Sequence, residues 1–214
     1  VAAVDCGTNT IKLLVADLDP ATGTEHELVR EMRMVRLGQD VDRTGRLAEE
    51  ALARTFAAVE EYAELVAQHD VEAVRFCATS AARDAENAAE FAEGVRARMG
   101  VEPEVVTGDE EARLSYVGAT RTLLGGNHPQ PFLVVDIGGG STELILGSGT
   151  EVEAGRSLDI GSVRMTERHL LGDPPTHAQV EAALAEVDLA LDERELRDEC
   201  EIDDALMPDQ GKRA

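Results

Sequence analysis

The sequence predicts an α/β fold in two related halves, and three observations carry that expectation. Short apolar runs alternate along most of the chain with amphipathic stretches of helical period. A strand, glycine turn, strand pattern occurs near the start and again after residue 130. Two of the turns are alike: DCGTNT at 5–10 and DIGGGS at 136–141 each close a strand with Asp-x-Gly and small polar residues, and DIGS at 159–162 is a weaker echo. Such internal repetition implies two halves facing each other.

The elements follow in order. Residues 2–6 and the run IKLLVADL at 11–18 flank a tight-turn composition, Gly7-Thr8-Asn9-Thr10, and read as a β-hairpin. A third strand is expected over 26–36. Leu52, Phe56, Val59, Ala63 and Val66 recur at helical spacing and predict a helix over 47–68. A strand at 71–77, a helix at 86–99, a short strand at 103–106 and a helix at 109–124 complete a mixed-sheet unit. GGNHP at 125–129 has the composition of a linker. Strands at 132–136 and 143–146 and helices near 163–171 and 176–192 make the second unit. The expected organisation is therefore 1–125, 126–196 and an acidic tail from Arg197 to Ala214, which lacks apolar periodicity and is expected to be poorly ordered.

The chain has 214 residues, enough to bury a substantial core, and 43% of them are hydrophobic, as in ordinary globular proteins. Its formal charge of −23 excludes nonspecific nucleic-acid and anionic-membrane binding, which need a basic face. The same field repels a polyanionic substrate, so a phosphate site must supply compensation from arginines, backbone N–H groups and a divalent cation. Only Lys12 and Lys212 are lysines. No apolar run reaches the roughly 20 residues that cross a bilayer. The opening VAAVDCGTNT shows no secretory-signal pattern. Cys6, Cys77 and Cys200 are odd in number and widely spaced, which favours free thiols over disulfides or a zinc site. A cytoplasmic location is expected.

Turns rich in Gly, Ser and Thr present successive N–H groups that can cradle an anion. Gly7, Thr8 and Asn9 in one turn, and Gly138, Gly139, Gly140 and Ser141 in the other, are candidates to clamp phosphates from both sides. Asp5 and Asp136, each at the end of the preceding strand, could hold a divalent cation beside that anion. Asp136 and Glu143 bracket the second turn, so their carboxylates could converge across a hairpin; the alternative is a solvated edge pair. In TGDEE, Thr107 and Glu110 have capping-box spacing, which assigns Glu110 to the helix end and leaves Glu111 free to activate a water. Arg83 lies beyond a strand's carboxyl end, where ligands bind in open α/β sheets, and could grip a phosphate; the alternative is an ion pair with Asp84 or Glu86. Arg113 and Arg164 are weaker candidates of this kind.

The stretches DCGTNTIKLL, ATSAARDAENAAEF, TGDEEARLSYVGA, VVDIGGGSTELILG and LDIGSVRMTE, in this order, resemble the exopolyphosphatase and guanosine pentaphosphate phosphohydrolase (Ppx/GppA) family. They cover roughly residues 1–170. The resemblance implies two actin-like (ribonuclease H-like) lobes with a cleft between them, the second lobe incomplete. It implies Glu111 as catalytic base, Asp136 and Glu143 as metal and water-positioning carboxylates, with Asp5 beside the first phosphate loop. Gly7, Thr8 and Asn9 correspond to that first loop, Gly138, Gly139, Gly140 and Ser141 to the second, and Arg83 to a contact with the phosphate chain. The segment RELRDECEIDDALMPDQGKRA at 194–214 departs from the family's pattern.

The expected function is metal-assisted hydrolysis, with Mg2+ or Mn2+, of the terminal phosphate of polyphosphate or guanosine pentaphosphate, short chains being preferred. Three alternatives stand beside it: a non-catalytic guanosine tetra- or pentaphosphate sensor, an inactive truncated paralogue, and an actin-like ATPase or kinase. The expected partners include no nucleic acid and no membrane, and the oligomeric state is left open, a homodimer being one possibility.

Overall fold

A computed structural model describes residues 1–19 and 21–192. The expected acidic tail and Cys200 lie outside the described residues. The first sheet has five strands in the order β3-β2-β1-β4-β5: β1 (Ala2–Cys6), β2 (Thr10–Asp19), β3 (Thr24–Met34), β4 (Val74–Ala78) and β5 (Glu104–Val105). β1 pairs antiparallel with β2 and parallel with β4, so the sheet is mixed, as the alternation of elements requires. Alternate residues of β1 (Ala2, Val4, Cys6) and of β2 (Ile11, Leu13, Val15) are buried on one face. Over that face lie α2 (Glu49–Ala67) and α4 (Ala88–Met99), which contribute Leu52, Val59 and Tyr62, and Phe91 and Val95. Phe76 meets Phe91 edge to face at 6.2 Å between ring centres. Each large side chain buried here contributes about 1.5–3 kcal/mol. Tyr62 is fully buried, and its hydroxyl donates to the Ile11 carbonyl at 3.0 Å, so its polar end is satisfied inside the core.

Two short helices, α1 (Val41–Thr44) and α3 (Ser80–Asp84), were not expected from the pattern. They are too short to show a helical period. Among the described residues no helix is long and apolar enough to cross a membrane.

The second sheet has the order β6-β7-β8, with β6 (Phe132–Ile137), β7 (Thr142–Ser148) and β8 (Glu151–Leu158) all antiparallel. β8 was missed, although Val152, Ala154 and Leu158 alternate after the turn at 149–150. One face of this sheet is covered by α5 (Gly108–Thr120): Ala112 and Tyr116 pack on Ile145, Phe132, Val134 and Val152. The helix follows the first sheet in the chain, yet its apolar side belongs to the core of the second. Gly147 makes the fit possible, because a Cβ there would lie 2.6 Å from Cζ of Tyr116. On the opposite face Leu133, Val135 and Ile137 are exposed, and β6 lies at the edge of its sheet.

The repeat seen in sequence is a repeat in structure. Each half runs through three antiparallel strands, a short helix and a longer one; in the second half these helices are α6 (Ser162–His169) and α7 (His177–Ala190). α7 opens with a complete capping box between Thr176 and Gln179. The start of α6 packs against the 138–141 turn with no room to spare. A Cβ on Gly161 would lie 2.3 Å from the Gly139 carbonyl oxygen and 2.5 Å from the Gly140 nitrogen. Both are backbone atoms that cannot swing away. Gly161→Ala should therefore lose about 1–3 kcal/mol of stability, as overpacked sites do. Urea unfolding checks this, and an alanine variant as stable as the wild type would refute the packing argument.

Candidate functional site

The two glycine turns face each other and touch. Gly7 N–H donates to the Thr10 carbonyl at 3.0 Å, and Gly138 N–H donates to the Ser141 carbonyl at 2.9 Å, so the two turns are closed by the same bond. These two amides are therefore engaged within their turns, and Gly7 and Gly138 help to form them. Thr8 Oγ1 is 2.8 Å from Ser80 Oγ, and both residues are buried. A Cβ on Gly140 would lie 2.8 Å from Thr8 Oγ1 and 2.7 Å from Ser80 Oγ, and one on Gly139 would lie 2.9 Å from Cβ of Thr8. Only glycine permits this approach. Ser141 is buried at 2% exposure, while Asn9 is part-exposed and its carbonyl accepts from Val35 and Arg36.

Glu111 sits in the first turn of α5, beside the cleft between the sheets. The helix is capped by Thr107, whose hydroxyl accepts the Glu110 N–H at 3.2 Å. Glu110 does not close the capping box; its carboxylate instead pairs with Arg113 and Arg75, and Arg113 is thereby a surface partner. Glu111 is part-buried, and its Oε2 lies 3.3 Å from Nη1 of Arg83. Arg83 also donates to the Val106 carbonyl at 3.0 Å. The expected alternative for Arg83 fails, because Asp84 pairs with Arg164 and Glu86 with Arg46. Burial pushes the Glu111 carboxyl up to about 7, and the nearby Glu143 charge adds to this; Arg83 and Thr79 oppose it only in part. A carboxyl poised there can take a proton near neutral pH.

Asp136 and Glu143 are direct cross-strand partners on β6 and β7, so their side chains leave the sheet on the same face. Glu143 is 1% exposed, and its Oε1 accepts from Ser157 Oγ at 2.8 Å. Asp136 is exposed and accepts from Ser115 Oγ on α5. Asp5 is not gathered with them: it is half-exposed and ion-paired to Lys12 at 2.9 Å. Among the described residues no group of three or more His, Cys, Asp or Glu side chains is placed to hold a metal ion. Asp136 and Glu143 could offer two carboxylates, oxygen only. That suits Mg2+, which takes one or two carboxylates and fills its remaining positions with water and phosphate.

Sequence reasoning missed the residues that hold these groups in place. Ser157 lies on the unrecognised β8, and Ser115 looks like any exposed helix serine; neither carries a signal before its partner is known. Cys6, next to the first turn, is fully buried, which pushes its thiol well above its ordinary range. Cys6 and Cys77 are free thiols, as expected.

Comparison with known proteins then bears on the geometry. A model of the Ppx/GppA phosphatase family matches residues 15–202, reaching into the segment after 194 that the sequence reading placed outside the family's pattern. Exopolyphosphatase 2 of Mycobacterium tuberculosis is 53% identical over 190 residues, which cover 86% of this chain and 59% of that protein. The crystal structure of an exopolyphosphatase-like protein superposes with a TM-score of 0.84 at 50% identity, covering 90% of this chain and 60% of the other. The PPX-GPPA enzyme of Aquifex aeolicus does so with a TM-score of 0.71 at 35% identity, covering 90% and 63%. The chain thus spans about 60% of the length of these relatives. Two α/β lobes, paired glycine turns in contact and a carboxyl at the start of α5 accompany these likenesses, and the chain belongs to the Ppx/GppA phosphatase family.

Proposed function

We propose that this chain carries the catalytic face of a phosphoanhydride hydrolase that releases the terminal phosphate of polyphosphate or of guanosine pentaphosphate. The observation that carries the reading is Glu111: a part-buried carboxyl at the start of a helix, beside a buried second carboxylate and an arginine, with its pKa pushed up to about 7. In this reading water attacks the terminal phosphorus and gives its proton to Glu111. The bond from phosphorus to the bridging oxygen breaks, leaving inorganic phosphate and a chain one unit shorter. Such transfers depend mainly on positioning and on charge stabilisation. Asp136 and Glu143 would hold Mg2+ or Mn2+, which when bound neutralises phosphate oxygens. Ser157 and Ser115 orient those two carboxylates, and Arg83 steadies Glu111. Asn9 and Gly139 are part-exposed and would meet the phosphates, while Thr8 and Gly140 are buried and shape the two turns.

Phosphate release from polyphosphate, guanosine pentaphosphate and ATP, with and without Mg2+, tests the assignment. Release from either of the first two, dependent on the cation, is expected. Tight binding of guanosine pentaphosphate without release would favour a sensor, and turnover of ATP alone would favour an ATPase.

Glu111→Gln should lower kcat about 10²–10⁴-fold with little change in KM, the range for loss of a positioned base. Near wild-type turnover in this variant would remove Glu111 from the mechanism. The same carboxyl sets the pH response. Only its ionised form accepts a proton, so kcat/KM should rise with pH through a midpoint of about 7 to a plateau; an acid limb centred near the ordinary 4.5 would contradict the burial argument. Between 4.5 and 7 the unfolded chain has released this proton and the folded protein has not. Folding is therefore favoured by protonation at Glu111, and that contribution is lost as pH rises through 7. Glu111→Gln should accordingly melt higher than the wild type at pH 8 but not at pH 4.

Substrate length is argued from charge. A long chain must lie along a surface of net charge −23, whereas a short one needs only the local arginines, turn amides and cation. Short polyphosphates or a nucleotide pentaphosphate are therefore the preferred substrates in this reading. Exposed charges are screened beyond about 8 Å at physiological ionic strength. Added salt at fixed free Mg2+ should thus improve kcat/KM for long chains more than for short ones. Equal salt responses would refute the link to net charge.

A further inference from the structure

We infer that Arg164 is the positioning residue that sets the spacing and orientation of the second glycine turn against the first, an inference that rests on the proposed phosphatase reading for its kinetic consequence but not for its geometry. Arg164 lies on α6 and is 13% exposed at its side chain. Its Nε donates to the Gly140 carbonyl at 2.8 Å. Nη1 reaches Asp42 Oδ1 at 2.6 Å and Nη2 reaches Asp84 Oδ2 at 2.7 Å, with Asp159 at 3.8 Å. One guanidinium therefore holds the second turn with its first nitrogen and two helices of the first lobe, α1 and α3, with the others. A planar fork with five donors can serve all three partners, and a lysine ammonium at the end of a flexible stem cannot do so in this fixed geometry.

The backbone around it works to the same end. Ser162 N–H donates to the Gly138 carbonyl at 2.9 Å, and the N–H groups of Val163 and Arg164 donate to the Gly139 carbonyl at 2.9 and 3.1 Å. With Arg164 on Gly140, the carbonyls of three consecutive glycines are all engaged by the start of α6. A turn whose carbonyls are fixed on one side has its peptide planes fixed, and so has the direction in which its amides point. The seating of α6 on the first lobe is reinforced by Glu167, which accepts from the Asp40 N–H at 3.2 Å, and by Arg168, whose Nε meets Asp42 at 2.6 Å. Arg168 makes no contact with the turn among the hydrogen bonds of the described residues. It shares the network of Arg164 without sharing its grip on Gly140.

That difference supplies the experiment. Hydrogen exchange of the purified protein, followed by mass spectrometry, reads the 138–141 segment directly and needs no substrate. Arg164→Lys should accelerate exchange at 138–141 and in the facing 8–10 and 80–84 segments by about 10-fold or more, as expected when a local opening becomes easier. Arg168→Gln should leave 138–141 at the wild-type rate. In the phosphate-release assay Arg164→Lys should lower kcat/KM by at least about 10-fold, since displacement by an ångström costs up to about 100-fold. Asp84→Asn should shift both readouts in the same direction by less, because Asp42 and Gly140 remain. Wild-type exchange at 138–141 in Arg164→Lys, or acceleration spread evenly over the chain, would overturn the inference. So would altered exchange with unchanged kcat/KM. If the wild-type protein releases no phosphate from any substrate, the functional reading fails, and exchange alone decides the role of Arg164.

Discussion

The contact between the two glycine turns is the constraint on which the site depends. Thr8 and Ser80 from the first lobe occupy the space that side chains on Gly139 and Gly140 would need. No other residue type fits there without moving one lobe relative to the other. Everything that gives the site its chemistry is arranged around this contact: α3 begins at Ser80, α6 begins behind the second turn, and the carboxylates of β6 and β7 flank it. Turns of this composition are common. Their chemistry comes from being held face to face.

The carboxyl groups illustrate how a strongly acidic protein can make one of its acids different. Many of its 43 acidic residues pair with arginines at the surface, as Glu27, Glu104 and Glu102 do. Glu143 is buried and has a serine hydroxyl instead; Glu111 is partly withdrawn from solvent and lies near the Glu143 charge. The helix N-terminus and Arg83 favour ionisation of Glu111, and burial with like charge opposes it more strongly. Glu110, one residue away, has the opposite fate: Arg113 and then Arg75 hold its carboxyl below the ordinary range. Adjacent residues of the same type are separated by which way the helix turns them.

Much of this was legible in the chain. The hairpin around Gly7, the α2 period and the paired Asp-x-Gly turns each rest on local pattern, and local pattern survives folding. The matched turn bonds at Gly7 and Gly138 show why the repeat could be read: the same backbone problem was solved twice with the same residues. β8 escaped notice because Arg156 and Gly155 interrupt its alternation, although Val152, Ala154 and Leu158 kept it. Ser157, Ser115 and Asp42 could not have been found, since their roles exist only through partners 14, 21 and more than 120 residues away. Asp5 differs from Asp136 in its setting. Its motif matches that of Asp136, but Lys12 lies directly across the hairpin from it.

The placement of α5 has a further consequence, for how the two lobes come apart. Tyr116 and Ala112 are tethered by the chain to β5 and packed into the core of the β6–β8 sheet. A cut near residue 125 would separate that sheet from the helix that shields it and leave Ile145, Phe132 and Val134 facing water. A cut between β5 and α5 would keep the helix with its sheet, yet would sever Glu111 from Arg83 and from the carbonyl of Val106 that Arg83 grips. Neither incision yields two intact pieces. The halves repeat one another in form, yet they are interlocked through a helix that contacts both of them.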